Sequence, residues 1–212
     1  MKMLPKYYAQ KAERTKPMLP DILSAMKQLA QMDGKQAFVL RDAMDLARTV
    51  LGRFMNYLIA ASMARVNDKA FLKQAKALYP EMLAAMAGLV SLNDDFSVYQ
   101  TLLELQKTAP VNPDFERTLK RNINNRYCAQ PAYELITQVF AKESELAFDW
   151  LLQNEDEAAD RPNFRSEMRA ICKEFIETPL KTMQPTEKPT LEAAVLKAAQ
   201  AVEAAAALLY EV

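Results

Sequence analysis

The chain has 212 residues, half of them hydrophobic, with 27 basic side chains against 27 acidic ones. That composition fits a globular fold large enough to bury its own core, and it gives no bulk electrostatic pull toward nucleic acid or a membrane. The three glycines, Gly34, Gly52 and Gly88, stand far apart, and there is no histidine. Glycine-rich phosphate loops, histidine-activated nucleophiles and histidine-ligated metal centres are therefore excluded. Cys128 and Cys172 are the only cysteines, too few for a four-thiolate zinc site, and both read as free buried thiols. No cofactor and no metal is expected.

The residues from Met1 to Tyr8 lack the continuous apolar run of a secretory signal, and the alanine-rich tail carries Glu192, Lys197, Glu203 and Glu211. The chain is expected to be soluble, with no membrane partner, and nothing in it assigns a compartment. Hydrophobic periodicity is helical nearly everywhere. The predicted class is all-α: an irregular bundle of seven or eight helices, with a proline-rich connector before the last.

In chain order, a basic N-terminal segment (Lys2, Lys6, Lys11, Arg14, Lys16) precedes a helix opened by Pro20-Asp21 and ended by Asp33-Gly34. A long second helix is predicted over residues 36–66, its apolar face formed by Leu40, Ala43, Ala47, Val50, Leu51, Phe54, Leu58 and Ala61. Asn67 is the expected cap of a third helix, which Pro80 should kink or split. Asp95 is the expected cap of a fourth. Pro110-Val111-Asn112-Pro113 should break the chain and cap a fifth, basic helix holding Phe115, Leu119 and Ile123. A sixth helix is expected from Pro131, with Leu135, Val139, Leu146 and Trp150 on one face. A seventh follows Pro162. Residues 178–190 contain three prolines and no glycine, and read as an extended, stiff connector. Thr190 then caps a final helix with nine alanines among its 22 residues, suited to close packing along a groove. The organisation read from this is a 1–177 helical bundle, the 178–190 connector and a 191–212 helix packed on the bundle.

With histidine absent, carboxylate pairs are the remaining acid–base chemistry. Asp94-Asp95, Glu143-x-Glu145 and Glu155-Asp156-Glu157 with Asp160 are the candidates, and helix capping or solvation accounts for each. The basic fifth helix places Arg117, Lys120 and Arg121 on one face with Arg126 beyond, a spacing that can meet phosphates, but no aromatic side chains are interleaved for base stacking. It reads as a charged helix face, and nucleic acid is not expected. On the second helix, Arg41, Asp45, Arg48, Gly52 and Asn56 form a stripe opposite the apolar face. Its glycine permits close backbone approach, which makes the stripe a candidate docking surface.

The pattern Asp45-Leu46-x-Arg48-x-x-Leu51, followed by Tyr57, the Asn67-Asp68-x-Ala70-Phe71 turn and Tyr79-x-x-Met82-Leu83, resembles the helical C-terminal domain of the α-N-acetylglucosaminidase glycoside hydrolases over residues 38–103. There, similar residues stand on a long helix, a short turn and a second helix that ends before a segment like Asp95-Phe96. The resemblance implies that glutamates of a preceding (β/α) barrel perform hydrolysis while the helical part buttresses that barrel. No catalytic residue can be placed in this chain alone. The expected function is a non-catalytic accessory domain of a carbohydrate-active enzyme, partnered by a catalytic barrel. The alternative is a free-standing helical module that binds another protein.

Overall fold

The computed structural model describes residues 3–108, 114–124, 132–153 and 164–210, and among them every regular element is helical. Helix α1 runs over Met3–Thr15, and a 3-10 turn, Lys16–Met18, joins it to α2, Leu19–Ala30. Then come α3, Ala37–Ala64, and α4, Lys69–Val90. A 3-10 turn at Asp94–Phe96 leads into α5, Val98–Thr108, and α6 covers Phe115–Asn124. A short α7, Tyr133–Leu135, passes through a π-helical segment, Ile136–Phe140, into α8, Ala141–Gln153. Helix α9 is Arg165–Glu177, and after a 3-10 turn at Leu180–Met183 the chain ends its described part in α10, Leu191–Tyr210.

The sequence expectation for the longest helix differs from α3 by two residues or fewer at each end, because its apolar repeat is sustained and every member is at least half-buried. Four other expectations are corrected. The N-terminal segment is helical from Met3: Lys6, Lys11, Glu13 and Arg14 point to water, while Tyr8 and Ala12 turn inward, Tyr8 toward the Tyr57 ring. The Tyr210 hydroxyl donates to the Ala12 carbonyl at 2.7 Å, which joins α1 to α10. Asp68, not Asn67, caps α4, accepting from the Phe71 amide at 2.9 Å. Asp95 lies inside the 3-10 turn, and Ser97 caps α5 by accepting from the Gln100 amide at 3.2 Å. Pro80 does not split α4: its ring is exposed, and the apolar repeat runs across it to Met82, Leu83 and Met86. The expected break at residues 110–113 and the expected start at Pro131 lie outside the described residues.

Two cores form. The first joins α1 to α4 with α10 and reaches Ile136, Phe148 and Leu151. Helix α10 lies among α2, α3 and α4, and Val195, Ala198, Val202 and Ala205 are wholly buried. Small side chains at these positions let the backbones approach closely. The second core joins α5, α7, the π segment and α9, with Leu180 and Met183 of the connector completing it and Phe115, Leu119 and Ile123 of α6 packed against it. The connector is thus not extended throughout: its 3-10 turn buries both of those side chains, because they supply apolar surface that the short helices around them lack. At its end the Thr190 hydroxyl caps α10 through the Ala193 amide, as the sequence predicts.

Substituting leucine for the buried Ala205 should overpack the α10 groove and cost about 1–3 kcal/mol. The same change at the exposed Ala207, one helical step away from the core, should be nearly neutral. Thermal melts of the two variants against wild type measure the difference.

Candidate functional site

The stripe read from α3 is largely occupied by the chain itself. Arg41 is exposed and pairs with its neighbour Asp42 at 3.5 Å. Asp45 accepts from Arg48 at 3.1 Å, and the Arg48 guanidinium stacks on the Phe96 ring with 4.9 Å to its centroid. Gly52 faces Met86 of α4, where an added Cβ would lie 3.7 Å from the methionine methyl, an ordinary contact. Asn56 is exposed. The structure therefore places the five residues unevenly: Arg41 and Asn56 are exposed, Asp45 and Arg48 keep 40% and 25% of their side chains accessible beside the 94–96 turn, and Gly52 faces α4.

The candidate acids are not brought together. Asp94 accepts from the Lys188 ammonium at 2.7 Å, Asp95 is exposed in the same turn, and Glu143 and Glu145 sit on the flank of α8. The 155–160 cluster lies outside the described residues. Among the described residues no group of three or more acidic or thiol side chains is placed to hold a metal ion.

The feature with coherent chemistry is a groove of about 750 Å3 between α6 and α9. Its construction starts with Lys120, which the sequence places beside Arg117 and Arg121 but which the fold buries, leaving 2% of its surface accessible. The Lys120 ammonium donates to the Thr178 carbonyl at 2.7 Å and pairs with Glu116 at 3.1 Å, and Glu116 in turn accepts from the Leu180 amide at 2.8 Å. These contacts fasten α6 to the backbone just after α9. They also take Lys120 out of the expected phosphate-facing set and leave Arg117 and Arg121 exposed on one wall.

Helix α9 supplies the other wall and the floor. Arg165, Arg169 and Lys173 recur every fourth residue and are exposed. Phe164, Met168, Cys172 and Ile176 form the adjacent row, half-buried beneath them. Cys172 is a free thiol within that floor. The acids of α9 are mostly turned elsewhere: Glu174 pairs with Lys142 of α8, and Glu167 is held ionised by a hydrogen bond from the Ser166 hydroxyl, which lowers its pKa. Glu177 alone reaches the groove, 3.9 Å from Lys173. Sequence reasoning found α6 and missed this second wall, although the two rows at four-residue spacing were there to be read.

Elsewhere, burial moves tyrosines away from acid–base use. It pushes Tyr79, whose ring lies tilted against Phe148 with 5.5 Å between centroids, up to about 12. Tyr210 is likewise pushed up to about 12, by burial first and then by its neighbours Tyr57 and Glu13. Tyr133 is raised by burial and by the adjacent Glu134 charge. These phenols stay protonated at neutral pH and serve as packing groups or hydroxyl donors. No protein-family model, curated protein or solved structure matches the chain.

Removing the ammonium in Lys120→Ala should destabilise the fold by about 3 kcal/mol, the lower end for a broken buried pair, since Glu116 keeps part of its side chain in water. Denaturant titration measures this loss, and Lys120→Met, which restores the packing of the stem alone, should recover only part of it. Gly52→Ala should instead raise stability by up to about 1 kcal/mol through helix propensity, visible as a higher melting temperature.

Proposed function

We propose that this chain is a non-catalytic helical docking module, and that its partner is the catalytic barrel of an α-N-acetylglucosaminidase-like glycoside hydrolase. The observation that carries the docking reading is the α6/α9 groove, which gathers five cations around an apolar floor while the described carboxylates are dispersed or engaged in caps and ion pairs. A binding surface needs such a coherent patch; hydrolysis of a glycosidic bond needs two carboxylates facing each other across a substrate.

The choice of partner rests on the resemblance over residues 38–103. In support of it, α3, a four-residue turn (65–68) and α4 follow one another as a long helix, a short connection and a second helix that ends before Asp95-Phe96. Some of the residues that carry the resemblance belong to the first core, while Leu46, Asn67 and Ala70 are exposed. Leu51, Tyr57, Met82 and Leu83 are buried between them or against their neighbours, and Asp68 caps the second.

The test has two measurements. The purified chain should leave the hydrolysis of an aryl N-acetylglucosaminide at the buffer rate, and it should co-sediment with a separately produced barrel of such an enzyme. Turnover that is abolished by Glu143→Gln or Glu145→Gln would overturn the non-catalytic reading. Failure to co-sediment with the barrel would remove the glycoside hydrolase as partner.

A further inference from the structure

Building on the docking reading, we infer that the α6/α9 groove receives an acidic amphipathic helical segment of the partner protein. Three features of the groove fix that chemistry. The first is charge. Arg117 and Arg121 stand one turn apart on one wall, Arg165, Arg169 and Lys173 stand one turn apart on the other, and among the described residues Glu177, 3.9 Å from Lys173, is the single acid that lines it. In a chain with 27 basic and 27 acidic side chains, this is segregation and not an overall excess. Guanidinium groups favour carboxylates over other acceptors because their paired N–H groups match both oxygens of one carboxylate.

The second feature is the floor. Phe164, Met168, Cys172 and Ile176 are apolar and half-buried, so an occupant must bring apolar side chains along one edge as well as negative charge. Methionine adapts its shape to whatever packs on it. Among the described residues Phe164 is the one aromatic ring that lines the groove, which gives no platform on which successive bases could stack and sets a nucleic acid below a peptide. The third feature is length. From Arg165 to Ile176 the floor follows twelve residues of helix, about 18 Å at 1.5 Å per residue, which matches three turns of a partner helix laid along it. Three turns carry an apolar row at helical spacing with acidic residues on both flanks, the complement of one floor and two cationic walls.

The experiment uses the full chain and a fluorescein-labelled 14-residue peptide with leucines at three- and four-residue spacing and glutamates on either flank. A peptide of identical composition with the leucine row scrambled, and a 12-nucleotide oligouridylate, serve as comparison probes. Fluorescence anisotropy should show the patterned peptide binding more tightly than the scrambled one by about tenfold or more, with affinity falling as salt rises. Arg121→Glu and Arg169→Glu, both at exposed positions, should each weaken it by about tenfold with melting curves unchanged. Bound peptide should also slow alkylation of Cys172, read by peptide-level mass spectrometry. Equal binding of the scrambled peptide, no binding, unchanged Cys172 alkylation, or tighter binding of the oligouridylate would each overturn the inference. If the barrel co-sediments but the peptide does not bind, the groove is wrong and the docking reading stands. Turnover by the isolated chain would remove the docking reading whatever the peptide does.

Discussion

The carboxylate of Glu134 on α7 is buried completely, and four donors from two distant segments converge on it. Ser97 donates its hydroxyl at 2.7 Å, the Val98 and Tyr99 amides donate at 2.9 and 3.0 Å, and the Gln184 side chain donates at 3.0 Å. A carboxylate brought into the interior without such partners would cost several kcal/mol. Here its charge faces the first amides of α5, where the helix dipole and the unpaired N–H groups favour an anion. One side chain therefore sets the start of α5, the position of α7 beside it and the course of the connector through Gln184. The second core, made of short elements, would have little to hold its register without that node.

The same connector is held at every few residues. Glu116 and Lys120 of α6 take its first backbone groups, Glu134 takes Gln184, and the Lys188 ammonium reaches Asp94. Pro189 packs over Gly88 of α4, and Thr190 then starts α10. The chain is thereby delivered from the second core back into the first, where Leu191 closes against Gly34 so tightly that an added Cβ would lie 3.2 Å from it. The two cores differ in what secures them. Apolar burial along α3, α4 and α10 secures the first, and polar contacts to the connector position the second. The groove inherits its geometry from the latter, because the contacts of Lys120 and Glu116 fix the separation of α6 from the end of α9.

The helical class and the extent of α3 were legible because a long apolar repeat is a local signal. Caps were legible only to within one or two residues. Asn67 and Asp68, or Asp95 and Ser97, offer equivalent side-chain acceptors side by side, and tertiary packing selects between them. Helix α1 was hidden by its charges, since Lys6, Lys11, Glu13 and Arg14 outweigh the two inward positions Tyr8 and Ala12 in a composition window. The stripe on α3 shows the limit more sharply. Periodicity correctly puts Arg48 and Gly52 off the apolar face, yet nothing local says that Phe96 and Met86 return from elsewhere to cover them. Glu134 and Lys120 look like surface residues in sequence, and only the fold makes them buried nodes.

The α9 sequence carries one more argument, about why the groove is built as it is. Exposed cations set one turn apart repel one another, although screening over about 8 Å at physiological ionic strength keeps that repulsion modest. A helix made only to complete the second core could interleave acids among them at four-residue spacing, which would stabilise it. Here only Glu177, 3.9 Å from Lys173, continues that row, while Glu174 pairs with Lys142 of α8 and Glu167 is exposed outside the groove lining. Phe175 is the buried residue of α9 in the second core, with Ile171 and Ile176 packed against that core. The helix thus turns Phe175 toward the core and presents an exposed row of cations on the groove side. That side carries like charges in a row beside half-buried apolar surface. An acidic partner helix with an apolar edge relieves both at once, the repulsion by supplying carboxylates and the exposed floor by removing it from water.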